Sequence, residues 1–422
     1  MTFSMFFVLI IFLVCLVFVI TEKINKTIVV LAGATIFMLL GYVPQELAFS
    51  KYVDWNVIFL LIGMMILVGV IKDSGLFEYF AIYLAKKARG NPKIILIALF
   101  MISGILSAFF DSVSTCVIMA PVAILIAVEL GISPLPFVIS QSIASNIGGT
   151  ATLIGDPANL MIASAKNFNF IDYIQNIFFF VMFMLILCSG LALFFFHKQL
   201  VVSNERRARI MEFQEKELLR DKPLIIYSII SFVAFLILLI FQKYFNLHAS
   251  TIALAAAIFL IFKAKRDNFE HFLCREVQWG TILFFVGLFI MVGGLEESHL
   301  IKIFSEKIIS LTNNNQRNLA LFTIWIPGFI ASFIDNVPYV ATMLPVLENI
   351  HITNDGVWWA FILGSVLSAN GTMIGSCASI VSVSICKESG HPISFGVFSK
   401  YSAIITVITF ILSTGFILIK FF

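Results

Sequence analysis

Two short segments set a carboxylate beside small oxygen-bearing side chains within otherwise apolar sequence: Asp111-Ser112-Val113-Ser114-Thr115 and Asp335-Asn336-Val337-Pro338. A charge in the apolar zone of a membrane costs at least about 2.5–3.5 kcal/mol on insertion scales, so it persists where it is paired, hydrated or used. Oxygen ligands at a helix break suit a hard cation such as Na⁺, and a carboxylate there can instead carry a proton. Capping of the following helix is the plainer role, and it is compatible with either.

A glycine-rich stretch follows each acid. The first runs from Ser145 to Asn159 and contains Asn146, Gly148, Gly149, Thr150, Thr152, Asp156 and Asn159. The second runs from Ser368 to Ser379 and contains Asn370, Gly371, Thr372 and Ser376. Glycine permits an unwound turn. Carbonyls freed by such a turn can hold a cation, and N–H groups at a half-helix N-terminus can face an anion. Close helix packing through small residues is the competing reading, and the accompanying Asn, Asp and Thr weigh against it. The candidate binding set is therefore these residues together with Asp111, Ser112, Ser114, Thr115, Asp335 and Asn336. Asp111, Asn146, Asp335 and Asn370 are the expected Na⁺ ligands, and no other cofactor is expected. Three acids (Asp111, Asp156, Asp335) face no Lys or Arg inside the spans, which favours a cation or proton site over a bare anion site. The halves differ, because Asp156-Pro157 in the first break becomes Ser376-Cys377 in the second.

The elements that must position these groups are membrane helices. Apolar residues make up 60% of the 422 and charged residues only 12%, which overrules a soluble multidomain reading. Apolar runs near the roughly 20 residues needed to cross a bilayer predict ten spans, at 3–20, 27–44, 55–71, 138–164, 174–197, 223–241, 247–263, 279–295, 356–385 and 400–421. Two further apolar regions, 93–130 and 318–350, are interrupted by polar residues and Pro near their middles. With halves of about 17 residues or shorter, they suit re-entrant helical hairpins. The fold expected is an all-α polytopic membrane protein. It comprises residues 1–54 as scaffold helices, 55–197 as a first repeat, 198–222 as a linker, 223–278 as further scaffold helices and 279–422 as a second repeat.

Basic residues cluster in three loops, at Lys72–Lys93, Lys198–Lys222 and Lys263–Arg275, all on one side of the predicted topology. That side is expected to be cytoplasmic, with both termini outside the inner membrane. Segments 73–89 and 297–311 read as amphipathic and suited to the membrane surfaces. The net charge of +3 gives no reason to expect a nucleic-acid partner; the lipid bilayer is the expected surrounding.

The two halves match in sequence. Trp55 and Trp279 lie 279 − 55 = 224 positions apart, and the same offset pairs Gly63 with Gly287, Gly104 with Gly328, Asp111 with Asp335 and Pro121 with Pro345. A shift of four then pairs Thr152-Leu153-Ile154-Gly155 with Thr372-Met373-Ile374-Gly375. Trp, Asp, Pro and Gly at one constant offset is not chance apolar similarity. The predicted topology runs the two copies in opposite directions, and inverted repeats with interruptions at matching places mark a transporter whose site lies where the breaks meet. Walker A, GxSxG and HExxH motifs are absent, so neither an ATP-driven pump within this chain nor an enzyme is expected.

At Asp111–Pro121, Ser145–Asn159, Asp335–Pro345 and Asn370–Ser379 the chain resembles the ion transporter superfamily, across roughly residues 25–420. It most resembles the branch of arsenite/antimonite efflux pumps, bacterial sodium/proton antiporters and the melanosomal P protein, with a citrate-transporter-like domain. The resemblance implies a dimerising scaffold, an elevator-like moving part that holds the hairpins and broken helices, and binding at hairpin tips and breaks. Related dicarboxylate carriers have Ser-Asn-Thr at the tips. Here the tips carry Asp111 and Asp335 instead, and Ser112 stands where relatives of this branch often have Asn. The function expected is secondary active transport of a small inorganic ion, with sodium/proton exchange ahead. Arsenite efflux, through Cys116 and Cys377, and organic-anion symport are the alternatives.

Overall fold

The computed structural model describes residues 3–21, 23–219, 221–264 and 269–422, with only the backbone described at 3, 4, 215, 216 and 327. Among the loop cations used above to set orientation, Arg220, Lys265 and Arg266 lie outside the described residues, as does the side chain of Lys216.

Every regular element among the described residues is a helix. Seven are long and apolar enough to cross a membrane: Trp55–Asp73, Pro92–Phe109, Ser112–Leu130, Phe170–Phe196, Lys222–Ile240, Trp279–Glu297 and Phe395–Phe421. Met5–Thr21, Lys26–Leu39, Ala249–Ala264 and Gly356–Asn370 are shorter apolar helices. The expected span 27–44 stops at Leu39, because Gly41 turns the chain at φ 72°. The arms of the first hairpin, 18 and 19 residues, are longer than the 17 expected, and by length both fall among the crossing helices. Ser112 and Ser114 lie inside the second arm instead of lengthening the interruption, because Asp111 caps that helix ahead of them. The arms of the second hairpin, Gln316–Ala331 and Asn336–Glu348, are 16 and 13 residues.

The repeat seen in sequence is built in three dimensions. Pro92–Phe109 packs on Leu135–Gly149, and Gln316–Ala331 packs on Gly356–Leu367. Helix Trp55–Asp73 packs on Ala249–Ala264, while Trp279–Glu297 packs on Lys26–Leu39. Glycine lets the helices approach closely at both of those crossings. A Cβ on Gly63 would sit 2.9 Å from backbone atoms of Ala253 and Leu254, and one on Gly287 would sit 3.0 Å from Val30 and 3.2 Å from the Leu31 nitrogen. Val30 and Leu254 are themselves 254 − 30 = 224 positions apart, so the equivalence reaches one helix upstream of segments 55–197 and 279–422. The amphipathic helices Leu76–Lys87 and Leu300–Leu311 both follow a left-handed residue, Gly75 (φ 76°) and His299 (φ 59°).

Contacts between the halves are reciprocal. Ser112–Leu130 packs on Cys377–Glu388, and Asn336–Glu348 packs on Pro157–Lys166. Such isologous contact defines a pseudo-two-fold axis. It passes by Asn146 and Asn370, equivalent residues whose side chains meet, the Asn146 amide donating to Asn370 Oδ1 at 2.8 Å.

The described parts of the three basic loops share one end of the molecule. Arg275 pairs with Asp73 at 2.7 Å, Lys72 lies 3.8 Å from Glu276, and Lys86 donates to the Phe213 carbonyl at 2.8 Å.

Candidate functional site

Four helices begin at one place. Asp111 and Asp335 close the hairpin reversals, their carboxylates accepting backbone N–H groups of Ser114 at 2.9 Å and Val337 at 3.5 Å. Asp156 and Ser376 cap the distal halves of the broken helices, accepting from Ala158 at 2.8 Å and Ala378 at 3.1 Å. These two caps share one extended backbone geometry, φ −149° and ψ 138° against φ −148° and ψ 134°. Matching struts hold the breaks in place: the Thr152 hydroxyl donates to the Ala108 carbonyl, and the Thr372 hydroxyl donates to the Ser332 carbonyl at 2.6 Å.

The four capped N-termini border a cavity of about 240 Å³. Asp111, Ser112, Asp156, Asp335, Asn336, Ser376 and Cys377 line it from the hairpins and breaks. Lys26, Leu61, Met64, Gln278, Thr281 and Phe284 line it from the opposing helices. The Asn336 amide reaches across the two halves to both oxygens of Asp156, at 3.3 and 3.2 Å. Each helix N-terminus contributes about half a positive charge, largely spent here on its own cap.

Six of the seventeen residues singled out in sequence thus share the cavity: Asp111, Ser112, Asp156, Asp335, Asn336 and Ser376. The other eleven stand around it. Asn146 is fixed between Asn370 and Ser376, whose hydroxyl donates to Asn146 Oδ1 at 3.0 Å, and Asn370 donates on to the Ile143 carbonyl at 3.3 Å. Of the four expected Na⁺ ligands, Asp111 and Asp335 therefore face the cavity, while Asn146 and Asn370 face each other. Asn159 lies beneath the first break, and its amide donates to the carbonyls of Gly149 at 2.9 Å and Thr152 at 2.8 Å, taking up two of the carbonyls the unwound turn frees. Thr150 donates to the Asn146 carbonyl at 3.1 Å. Gly148 lies against the Gly104 carbonyl, Gly149 against the Ser112 hydroxyl, and Gly371 against the Ser332 side chain. Ser114 is half-buried on the hairpin arm, and Thr115 is buried with no partner for its hydroxyl.

One expectation is overturned. The three acids do have a cation among them, because Lys26 Nζ lies 3.1 Å from Asp335 Oδ2 and 2.8 Å from Cys377 Sγ. The Cys377 thiol donates to the same carboxylate oxygen at 2.9 Å. Lys26 sits one residue before the apolar run 27–44 and is not among the residues singled out in sequence. Folding places it against a partner 309 positions away, and no local sequence signal points there.

With this geometry established, comparison with known proteins decides the family. The citrate transporter (CitMHS) profile matches residues 16–364. The chain belongs to that family. It is 34% identical over 420 residues to a 46 kDa membrane protein of Mycobacterium leprae, covering 97% of each chain. It is 34% identical to an uncharacterised transporter of Mycobacterium tuberculosis strain H37Rv, covering 98% of this chain and 97% of that one. The human P protein is 28% identical over 463 residues, which cover 89% of this chain and 55% of the P protein. Among solved structures, Neisseria gonorrhoeae MtrF, described as illuminating a class of antimetabolite efflux pumps, aligns with TM-score 0.61 at 14% identity, over 92% of this chain and 84% of that one. Alcanivorax borkumensis YdaH, a transporter of unusual topology, aligns with TM-score 0.56 at 13% identity, over 91% and 87%. At those identities the likeness is one of fold. The protein is a multi-pass membrane transporter of the citrate transporter family.

Proposed function

We propose that this family member is a secondary active transporter driven by a cation, sodium or proton, carried on Asp111 and Asp156, with sodium/proton exchange as the leading reading. One observation carries it: of the three cavity carboxylates, only Asp335 has an ion-pair partner among the described residues. Asp156 is met by the Asn336 amide and a backbone N–H, and Asp111 by a backbone N–H alone. Neutral donors hold a carboxylate in place without cancelling its charge, which leaves it able to take a cation or a proton.

Symport of a citrate-like anion together with cations is the second reading. The family's name favours it, as does a cavity far larger than one ion needs. The arsenite alternative loses support, because only Cys377 lines the cavity, while Cys116 is buried behind it against the Ser145 hydroxyl at 3.2 Å. We also infer an inner-membrane location with the basic loops inside and both termini outside. Dimerisation through the helices opposite the hairpins, and elevator-like movement of the hairpins with the broken helices, belong to the same reading.

The test uses protein reconstituted in liposomes with an imposed pH gradient and a pH-sensitive dye. NaCl or LiCl is expected to collapse the gradient where choline chloride does not, and Asp111→Asn or Asp156→Asn is expected to abolish the response. Wild-type silence toward every cation, with citrate uptake appearing on addition of the anion plus a cation, would replace exchange by symport.

A further inference from the structure

Among the described residues Lys26 is the only basic one that lines the cavity, and it comes from the wall opposite the hairpins. It opens helix Lys26–Leu39, which packs with Trp279–Glu297. Its partners lie on the other side, Asp335 at the second hairpin tip and Cys377 at the start of the second distal half-helix. Both contacts of Asp335 Oδ2 belong to this cluster, at 3.1 Å from Lys26 and 2.9 Å from the Cys377 thiol. The same ammonium also lies over the Phe284 ring, whose centroid is 5.2 Å from Nζ. A cation over an aromatic face is held by the ring quadrupole without a counter-charge.

The symmetry of the fold isolates this feature. The position equivalent to Lys26 is Ser250, 250 − 26 = 224 residues on, and its hydroxyl donates to the Asn56 side chain. Asp111, the mate of Asp335, has no ion-pair partner among the described residues. One of two equivalent acids is thus supplied with a tethered cation and the other is left open.

We propose that Lys26 is a built-in competitor for Asp335. Its ammonium holds that carboxylate while the cavity lacks its transported cation; a cation arriving at Asp111 and Asp156 draws in Asp335 as well and displaces the ammonium, which stays over Phe284. Because the ion pair also fastens the second hairpin and second broken helix to the opposing wall, displacement unfastens them at the moment of binding. The inference rests on the cation reading above. A tethered competitor lowers apparent affinity by the fraction of sites it occupies, so its removal is expected to raise affinity by at least about tenfold.

The experiment compares Na⁺-driven exchange by wild type, Lys26→Met, Lys26→Arg and Lys26→Met/Asp335→Asn in liposomes, with KM and kcat separated. Lys26→Met is expected to lower KM for Na⁺ about tenfold or more while kcat falls. Lys26→Arg is expected to stay near wild type, and the double variant is expected to lose the gain. A KM unchanged or raised in Lys26→Met would overturn the proposal. A variant that fails to fold is bypassed in the wild-type protein itself, by labelling Lys26 with an amine-reactive reagent read by mass spectrometry. Labelling is expected to rise with Na⁺ and not with choline, and labelling indifferent to Na⁺ overturns the proposal. A wild type that shows no cation response at all fails the underlying cation reading, which is a separate outcome.

Discussion

Replacing Asn146 by Leu keeps roughly the side-chain volume and removes both polar contacts at the pseudo-two-fold axis. Asn370 Oδ1 loses its donor at 2.8 Å, and the Ser376 hydroxyl loses its acceptor at 3.0 Å. All three residues are buried, at 0–6% exposure, so water does not replace what is lost. A buried polar group left unpaired costs about 1–3 kcal/mol, which puts Asn146→Leu at about 2–6 kcal/mol for two such groups. Asn370→Leu strands the Asn146 amide, while the Ile143 carbonyl keeps its place within helix Leu135–Gly149, and a loss of about 1–3 kcal/mol is expected. The double variant removes both partners of the central bond at once, and replacing both partners by apolar groups can be nearly neutral for that bond. The two losses are therefore expected to fall short of additivity by about 1–3 kcal/mol. Equilibrium unfolding of detergent-purified protein measures all three variants and closes the cycle. Additivity within about 0.5 kcal/mol would refute the reasoning, since residues in direct contact couple by more than that.

Three further outcomes follow from the packing. Gly63→Val forces apart helices Trp55–Asp73 and Ala249–Ala264 and is expected to cost about 1–3 kcal/mol, whereas Gly415→Val, with nothing within 4 Å of an added Cβ, is expected to be neutral; thermal unfolding in detergent compares them. Thr152→Val and Thr372→Val each strip the strut from a buried carbonyl, at a cost of about 1–3 kcal/mol in the same assay, and Thr372→Val is expected to cost the more, because that hydroxyl also accepts the Ile374 N–H at 3.3 Å. Asn159→Leu releases the carbonyls of Gly149 and Thr152 and is expected to loosen the first break, seen as faster amide exchange across residues 149–157 than in the second break, where the equivalent position is already Ser379.

The sequence by itself determined the membrane class, the pairing of the halves and the acids at the helix starts. Each of these is written locally or at one fixed spacing. Apolar runs are a composition, a constant offset of 224 positions needs no coordinates to be seen, and an Asp before an apolar run is a cap wherever the helix is later placed. The same reasoning also located both breaks, since Gly and Pro act on the backbone within a turn of themselves. Only the tertiary structure decided which of those residues share a cavity. Asn146 and Asn370 look like ligands because each is an oxygen-bearing side chain within two residues of a glycine, yet the pseudo-two-fold axis turns them toward one another. Asn159 belongs to the binding set expected from sequence and folds back as a clamp on its own break. Lys26 stands at the edge of an apolar run and is not among the residues singled out in sequence. Its role is set by Asp335 and Cys377, brought to it by the packing of the second hairpin and second broken helix against the opposing wall, and a charge pair closed over 309 residues leaves no periodicity in the chain.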